Sequence, residues 1–408
     1  MKDISIHFPG LGTYTRNWLA QHPADAQELL ADCKGRYPTC QCRQPGPRLY
    51  IAHQTKYYLA RFPGSGPDHA PHCPSFEAES TECGRGIYTN TALSERRDGR
   101  ISVKLGVPLI IRGGGRPPPP SSAGALTSGP KRETLKLRGL LHLLWETAGF
   151  NRWAPRMDGR RHYRQIFKYV SEAAERIIVR RQALHKTLFV PEPFVPSQKL
   201  EIDARRAQAL RRLSRGRGGV PRRVLLIAQI KEIIGSNDGC ELRVAHTPPQ
   251  LVIRCARDMA SRLQRCAAHA FVDPPAIHEE FRVLVLLTML RDNRGAWIVD
   301  DLATLVCNKH YIPVHSVAEA ILAKHLIAQG RYFYKPMNYD AEPSHYPNFL
   351  LTDQSTVSVP IEVCISDHAG AARQNDRIAR YLEDDREYVL WNPRTDEAPP
   401  DLRVKASA

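Results

Sequence analysis

The sequence predicts a mixed α/β protein of several domains. At 408 residues, the chain is longer than a single hydrophobic core usually supports. Hydrophobic residues make up 42% and charged residues 25%, as in ordinary globular proteins, so we expect most of the chain to fold. Short strand-like runs lie in a loop-rich N-terminal part and again from Val224 onward, whereas amphipathic helices and arginines dominate the middle of the chain, which indicates a change of architecture along the sequence.

The first predicted domain, residues 1–111, is rich in loops and holds five of the ten cysteines. We predict short strands at Arg48–Ala52, Tyr57–Arg61 and Ile101–Leu109. The opening residues lack the apolar run of a signal peptide, and nothing later approaches the roughly 20 apolar residues of a membrane span. Cysteines in such a chain are typical of reduced thiols or metal ligands, so we expect a cytoplasmic protein.

A zinc site is predicted in this domain. Cys40 and Cys42 form one short-spaced pair, and His69 and Cys73 form a second, which is how two turns clamp a tetrahedral Zn²⁺. His72 remains an alternative to His69 as the fourth ligand. Two further thiols also remain candidates: Cys33 and Cys83. Four protein ligands leave no open position, so the predicted role of Zn²⁺ is structural.

Residues 112–130 form a predicted linker, because their glycine, proline and serine content cannot bury a core. Residues 131–198 follow as a basic helical domain, with apolar side chains at helical spacing from Leu137 to Trp145 and from Tyr163 to Ile178. Residues 199–223 are predicted to be a flexible, arginine-rich segment that can act as an arm.

The net charge of +16 is concentrated in this middle part of the chain. Between Lys131 and Arg223 there are 23 lysines and arginines and 8 aspartates and glutamates, a local balance of +15. Such a charge attracts anionic partners, and arginine pairs bidentately with phosphate. We therefore predict a nucleic-acid-binding surface, with DNA favoured, formed by Arg160, Arg161, Arg164, Lys168, Arg205, Arg206, Arg211 and Arg212. No helix-turn-helix or RNP pattern can be read, so no sequence specificity is predicted.

Residues 224–314 are predicted to be a mixed α/β domain. Four runs are rich in β-branched and aliphatic residues: VLLIAQI, ELRVAH, QLVIRC and FRVLVLLTML. A helix is predicted over Arg257–Ala268, and the segment RDNRG is predicted to be a turn.

The last predicted domain, residues 315–408, follows the order helix, three strands, helix, strand. The predicted elements are Ser316–Ala328, Tyr332–Pro336, Asn348–Thr352, Ser358–Ile365, Ala371–Leu382 and Tyr388–Trp391. This αβββαβ order resembles the restriction-endonuclease-like core of nucleases that share the PD-(D/E)xK motif. In those enzymes the acidic residues of the motif collect Mg²⁺, and the lysine positions the attacking water.

The motif maps onto this sequence with two departures. Glu319 occupies the first helix and Glu362 the third strand, but Asn348 replaces the motif aspartate and Cys364 replaces its lysine. A neutral ligand lowers metal affinity, and cysteine offers no cation. Three residues are candidates for compensation by migration: Asp353, Lys335 and Lys324. The resemblance therefore predicts a degenerate catalytic site, with Mg²⁺ as a second cofactor under an endonuclease interpretation.

Two segments of the chain resemble a bacterial family known as domain of unknown function 1173: CQCRQPGPRLYIAHQTKYYLARFPGSGPDHAPHCPSF and LLHLLWETAGFNRWAPRMDGRRHYRQIF. The resemblance covers most of the chain. It includes the paired Cys-x-Cys and His-x3-Cys elements of the family, which correspond here to Cys40, Cys42, His69 and Cys73. Proteins like it tend to be encoded on plasmids and integrative elements, so the resemblance implies a role in the upkeep or transfer of mobile DNA. It implies no reaction.

These patterns favour a nucleic-acid-binding accessory protein of a mobile element that performs no catalysis. A first alternative is a Mg²⁺-dependent endonuclease that uses the degenerate motif. A second is a protein-interaction factor of a conjugation or defence complex, whose basic centre meets an acidic partner. Plasmid cleavage would single out the endonuclease, and a steep salt dependence of binding would favour nucleic acid over a protein partner.

Overall fold

A computed structural model describes residues 3–53, 56–107, 133–214, 222–236, 239–247, 251–270, 279–292, 294–354, 357–364 and 368–402. The predicted linker at 112–130 lies outside these residues, as do positions 215–221 of the predicted flexible segment.

Helices and strands alternate along the described residues, which confirms a mixed α and β architecture. The helices are α1 (Arg16–Gln21), α2 (Pro23–Asp32), α3 (Leu137–Thr147), α4 (Tyr163–Arg176), α5 (Lys199–Ser214), α6 (Arg257–Cys266), α7 (Val317–Ala328) and α8 (His368–Glu383). The first eleven strands are β1 (Ser5–Phe8), β2 (Gly12–Thr15), β3 (Thr39–Cys40), β4 (Leu49–His53), β5 (Tyr57–Arg61), β6 (Leu93–Glu95), β7 (Ile101–Val103), β8 (Arg152–Trp153), β9 (Ile177–Val179), β10 (Gln182–Ala183) and β11 (Leu188–Phe189). The later strands are β12 (Val224–Ser236), β13 (Gly239–Val244), β14 (Ile253–Ala256), β15 (Phe281–Arg291), β16 (Trp297–Asn308), β17 (Phe333–Tyr334), β18 (Phe349–Leu351), β19 (Val359–Val363) and β20 (Val389–Trp391).

The N-terminal strands form a three-stranded sheet, β2-β1-β3, and a β4-β5 hairpin. The hairpin strands lie where the sequence predicts strands, whereas β1, β2 and β3 are not among the predicted elements. Ile6, Phe8 and Leu49 are buried in one apolar cluster with residues of α2. Cys40 and Cys73 belong to the same cluster. The N-terminal core is therefore built around these two cysteines.

Helices α3 and α4 bury the two apolar faces that the sequence predicts. Their buried residues join one cluster with strands β7 and β9 and with one face of β12, β15 and β16. The N-terminal, helical and mixed α/β parts of the chain thus share a core, and the predicted boundaries between them do not separate independent cores.

Helix α5 replaces most of the segment predicted to be flexible. Ile202, Leu210 and Leu213 recur at helical spacing and are buried. Leu210 and Leu213 pack against the interior residues of the following strands. Because three apolar residues anchor this helix, the arginines between Lys199 and Ser214 belong to a packed element, not to a free arm.

Strands β12 to β16 close into a barrel. Their order is β12-β13-β14-β16-β15, and β15 pairs back onto β12. The long strand β12 uses Val224–Gln229 to pair with β15 and Ile230–Ser236 to pair with β13, with a bulge between Ile230 and Glu232. Strands β14 and β16 run parallel, and α6 connects β14 to β15. Strand β16 has no counterpart among the predicted elements.

The C-terminal sheet has the order β20-β19-β18-β17-β8. Strands β17, β18 and β19 are antiparallel neighbours, and β20 lies parallel to β19. Leu322 and Leu326 of α7 pack on Phe349 and Ile361 of this sheet. The edge strand β8 comes from the predicted helical domain, so the sheet extends beyond the predicted boundary at residue 315.

Candidate metal centre and basic cleft

Four side chains of the N-terminal core converge on one point. The ligand atoms of Cys40, Cys42, His69 and Cys73 all lie within 4.8 Å of one another. Cys40 Sγ is 3.7 Å from Cys73 Sγ, and His69 Nδ1 is 3.4 Å from Cys42 Sγ and 3.6 Å from Cys73 Sγ. The structure therefore brings together all four residues that the sequence predicts as zinc ligands.

These separations fit a zinc ion. With Zn–S bonds near 2.3 Å and Zn–N bonds near 2.0 Å in a tetrahedron, two sulfurs lie about 3.8 Å apart and a sulfur and a nitrogen about 3.5 Å apart. Backbone N–H groups of Ala70 and Ser75 also donate to the sulfurs of Cys42 and Cys73, at 3.5 and 3.4 Å. Such donors stabilise thiolate. Zn²⁺ would be held by three thiolates and one imidazole, with no open position for substrate.

The histidine that completes the cluster is His69, which is fully buried, and not its neighbour His72. Cys33 and Cys83 are buried, but neither belongs to the four-residue Cys/His cluster. Hydrogen bonds from the Cys40 and Cys42 thiols lower the pKa of Cys73 far below its usual range, which favours one ionised sulfur at this point even before a metal is considered.

A tight turn at Gly46 positions Cys40. A Cβ on Gly46 would lie 2.3 Å from the Cys40 carbonyl oxygen, so only glycine fits at this position.

A cleft of about 760 Å³ opens beside this cluster. Its walls come from the loop His72–Glu77, from hairpin β4-β5, from helix α4 and from the Tyr332 to Tyr334 segment of the C-terminal sheet. Ten arginines and three glutamates line it, a formal balance of +7. Aromatic rings stand among the arginines. The volume lies within the roughly 300–1,000 Å³ range of ligand sites.

Some of the cleft arginines hold the walls together. Arg61 and Arg85 form ion pairs with Glu77 and Glu95. Arg152 donates to the carbonyl oxygens of Pro74 and Phe76, and its guanidinium lies 5.3 Å from the centre of the Tyr334 ring. These contacts join the loop after the metal ligands to the sheet. The Cys/His cluster thus shapes one wall of the cleft.

Other cleft arginines are free to meet a ligand. Arg156 and Arg160 are exposed, and within the part of the chain that the structure describes their guanidinium groups make no ion pair. Tyr169, whose side chain is 40% exposed, lines the same space, with Lys168 Nζ 5.1 Å from its ring centre. The cleft therefore combines unpaired guanidinium groups with an exposed aromatic ring.

A second basic groove of about 500 Å³ adjoins the cleft. Arg96 and Arg100, which both pair with Asp98, line both spaces and so connect them. The groove continues along exposed Lys104, Arg180 and Arg181, with serine and threonine hydroxyls between the cations. Among the described residues that line it, none is acidic. We call the two spaces the cleft and the groove.

The arginines that the sequence predicts as a nucleic-acid surface do not form one patch. Arg160 and Arg161 line the cleft, but Arg161 is held inside the fold, where it donates to the carbonyl oxygens of Phe150 and Arg152. Burial lowers the pKa of Arg161. Its guanidinium therefore has a structural role.

The remaining predicted arginines lie outside the cleft and groove. Arg164 is exposed on α4, and Arg211 and Arg212 are exposed on α5. Two others on α5 are engaged by acidic partners: Arg205 pairs with Glu192, and the buried Arg206 with Asp203. The structure thus separates the α5 arginines from the cleft.

Three of the residues predicted for a nuclease motif, Glu319, Asn348 and Glu362, are bound by protein partners. Glu319 accepts hydrogen bonds from Asn348 at 2.7 Å and from the His315 backbone N–H at 2.7 Å, and it pairs with Lys335 at 2.9 Å. Ser316 caps α7 by accepting from the Glu319 backbone N–H. This Ser-x-x-Glu spacing is a helix-start signature, which gives Glu319 a structural reason to be there.

Glu362 belongs to a different network on the same sheet. Arg377 of α8 binds its carboxylate through two nitrogens, at 2.9 and 2.7 Å, and Gln374 and Tyr381 donate to it as well. The partly buried Cys364 follows β19, and burial raises its pKa. The structure therefore brings Glu319 and Asn348 into contact, and the Asn348 side-chain oxygen accepts from the backbone N–H of Val363, the residue after Glu362. The carboxylate of Glu362 itself is bound by α8.

The compensating residues considered from the sequence divide in the same way. Lys335 contacts Glu319, whereas Asp353 is bound by Arg331 and the exposed side of α7 carries Lys324. The cleft lies at the other end of these strands, where the Thr352 N–H donates to the Tyr332 carbonyl oxygen at 2.9 Å.

Sequence reasoning missed most of the cleft. Arg156 lies within the quoted segment NRWAPRMDGRR and Arg100 within SERRDGR, so both belong to visible basic clusters. No sequence signal shows that they meet, because they lie 56 positions apart and come from different predicted domains. Tyr169 reads as one more residue of an amphipathic helix.

Fold and site together define a mixed α and β protein with a buried Cys/His cluster able to hold a metal ion. Its sequence matches the model of the family DUF1173, described as a protein of unknown function, over residues 15–394. The chain belongs to this family, which confirms the resemblance drawn from its motifs. No curated protein and no solved structure matches the chain. Among the described helices, none combines the length and apolar character needed to cross a membrane.

Proposed function

We propose that this protein binds nucleic acid through the cleft and the groove. The observation that carries the proposal is the continuous basic lining, in which Arg96 and Arg100 join a cleft of balance +7 to a groove without acidic residues among those described. Arginine and lysine along a groove attract a phosphate backbone and release its counterions. Exposed Arg156 and Arg160 are the side chains best placed to pair with phosphate oxygens.

The barrel offers support by analogy alone. The barrel has five strands in the order β12-β13-β14-β16-β15, and helix α6 precedes β15, its fourth strand along the chain. This is the arrangement of the OB-fold, which binds oligonucleotides in many proteins. On β13 and β14, however, the outward residues include Glu241, Arg243 and Arg254, and Arg243 is paired with Glu232 and Glu241. These charges nearly balance. The site and not the fold therefore carries the proposal.

An accessory role without catalysis fits the chemistry of the two candidate centres. The Cys/His cluster would hold Zn²⁺ with all four positions filled, so that zinc orders the loop beside the cleft and activates no water. The carboxylates of Glu319 and Glu362 are both committed to cations of the protein. A role in the upkeep or transfer of mobile DNA would be consistent with a DNA-binding accessory protein.

A Mg²⁺-dependent endonuclease remains the second candidate, and one observation favours it. The elements follow the order α7, β17, β18, β19, α8, β20, with three antiparallel strands and a parallel fourth. This order supports the candidate because it is the order expected of a restriction-endonuclease-like core. Supercoiled plasmid incubated with Mg²⁺ or Mn²⁺ tests it. Nicking that is lost in both Glu319→Ala and Glu362→Ala would establish the endonuclease, and an intact plasmid would remove it.

Binding is tested by fluorescence anisotropy with labelled DNA and RNA over a range of salt concentrations. We expect the affinity to fall steeply with salt, and we expect the double variant Arg156→Ala/Arg160→Ala to lower the slope of log K against log salt by about 2. The matched control is Arg265→Ala/Arg394→Ala, which removes the same charge at exposed positions outside the cleft and groove. An affinity that does not change with salt concentration, or no binding at low salt, would contradict the proposal and favour an acidic protein partner.

A further inference from the structure

We infer that the cleft receives unpaired nucleotides of a single strand, while the groove follows the phosphate backbone that leads to them. This inference rests on the proposed nucleic-acid binding and specifies its substrate. The cleft combines the two chemistries that an unstacked nucleotide needs, which are free guanidinium groups and accessible aromatic faces. The groove offers cationic side chains, and no Phe, Tyr or Trp is among the described residues that line it.

The aromatic side chains of the cleft are suited to stacking. Tyr169 is 40% exposed on α4 and carries Lys168 near its face. Tyr58 also lines the cleft, with the Arg176 guanidinium 5.9 Å from its ring centre. A base inserted here can stack on a ring while a neighbouring cation meets its phosphate. In a duplex the faces of the bases are already stacked on one another, so only an unpaired base can use these rings.

Size gives the same result. A volume of about 760 Å³ is that of a small-ligand site, which encloses roughly one or two nucleotides and excludes a double helix. The adjoining groove extends the basic surface through Arg96 and Arg100 to Arg180 and Arg181. A strand end, an overhang or an extruded base can therefore enter the cleft while the flanking phosphates remain on the groove.

The test compares three fluorescein-labelled DNA probes with the full-length, zinc-loaded protein: a single strand of about 12 nucleotides, a blunt duplex of the same sequence, and that duplex with a short overhang. We expect the single strand and the overhang to bind more tightly than the blunt duplex. Tyr169→Ala should weaken the single strand by roughly five- to a hundredfold and leave the duplex unchanged. Tyr169→Phe should restore binding because it keeps the ring. Phe194→Ala, which removes an exposed ring outside the cleft, is the matched control.

A second readout separates stacking from charge. A single strand that carries 2-aminopurine should lose fluorescence on binding to the wild type and to Tyr169→Phe, but not to Tyr169→Ala. Equal affinity for all three probes, sensitive to Arg156→Ala/Arg160→Ala but not to Tyr169→Ala, would overturn this inference and leave the proposed function standing. Absence of binding to any probe at low salt would overturn both.

Discussion

The ammonium nitrogen of Lys335 lies 2.9 Å from Oε2 of Glu319, and both side chains are almost completely buried. Removing one partner of such a pair leaves an uncompensated charge in the core. We expect Lys335→Met to lower the free energy of unfolding by about 3–5 kcal/mol, measured by urea denaturation. The double variant Lys335→Met/Glu319→Gln removes both charges and should recover most of the loss. A single variant as stable as the wild type would show that the pair does not stabilise the fold.

The same pair predicts how stability depends on pH. Burial opposes ionisation of Glu319, but Lys335 and then His315 outweigh burial and hold the pKa of the carboxyl well below its usual range. A carboxyl with a depressed pKa stabilises the fold above its unfolded pKa of about 4.3, and this contribution disappears as the pH falls below that value. We expect the free energy of unfolding of the wild type, relative to that of Lys335→Met/Glu319→Gln, to decrease from pH 5 to pH 3. Urea denaturation of both proteins at several pH values in this interval provides the measurement. Because both proteins share the Cys/His cluster, any change in its metal occupancy at low pH cancels in the comparison. An advantage that grows toward low pH would contradict this reading.

Local patterns in the sequence predict many of the elements but not how they assemble. The uninterrupted apolar run around Val283 to Leu290 becomes strand β15, and the spacing of the apolar residues predicts α4. Strand β16 escapes notice because Asp300 and Asp301 interrupt its apolar run. Helix α5 was masked by its arginines, since charge suggested flexibility while a narrow apolar stripe fixed the helix.

The two candidate sites differ in the same way. The Cys/His cluster is predictable because short spacings between cysteine and histidine indicate the geometry of the site in the sequence itself. The cleft is not predictable in this way, because Arg100, Arg156 and Tyr332 line one space only after strand β8 pairs with the edge of the C-terminal sheet. No local pattern encodes that meeting.

Asp340 completes a helix that lies about 200 positions earlier in the chain. Its two carboxylate oxygens accept from the backbone N–H groups of Gly139 and Lys136 at the start of α3, at 3.1 and 3.2 Å, and the Tyr88 hydroxyl donates at 2.6 Å. The residue at the helix start, Lys136, makes no side-chain cap of its own. Asp340 therefore serves as the N-cap acceptor and adds a negative charge at the positive end of the helix.

We expect Asp340→Ala to lower the free energy of unfolding by about 2 kcal/mol, because it removes the cap and leaves the buried Tyr88 hydroxyl without an acceptor. Asp340→Asn keeps one acceptor oxygen and should lose about half as much. Chemical denaturation of both variants provides the measurement. Equal stability of the alanine variant and the wild type would exclude the capping role.

The Cys/His cluster predicts a metal content near one zinc ion per chain, measured by elemental analysis of the purified protein. Cys40→Ser, His69→Ala and Cys73→Ser each remove a ligand and should abolish stoichiometric zinc. His72→Ala and Cys266→Ser are the controls: the first removes the imidazole that lies outside the cluster, and the second removes an exposed thiol on α6. Both should retain the metal. Full zinc in His69→Ala together with its loss in His72→Ala would mean that the fourth ligand is misassigned.

Loss of zinc should also reach the cleft. Arg152 donates to carbonyl oxygens of Pro74 and Phe76, which follow the ligand Cys73 directly and form part of the cleft wall. Because metal binding and folding are coupled in small sites of this kind, removing zinc should loosen this loop and expose it to protease. We expect limited proteolysis to cut Cys73→Ser between His69 and Glu77 while Cys266→Ser stays intact. A loop that resists protease in the metal-free variant would show that packing alone, without zinc, is sufficient to hold this wall.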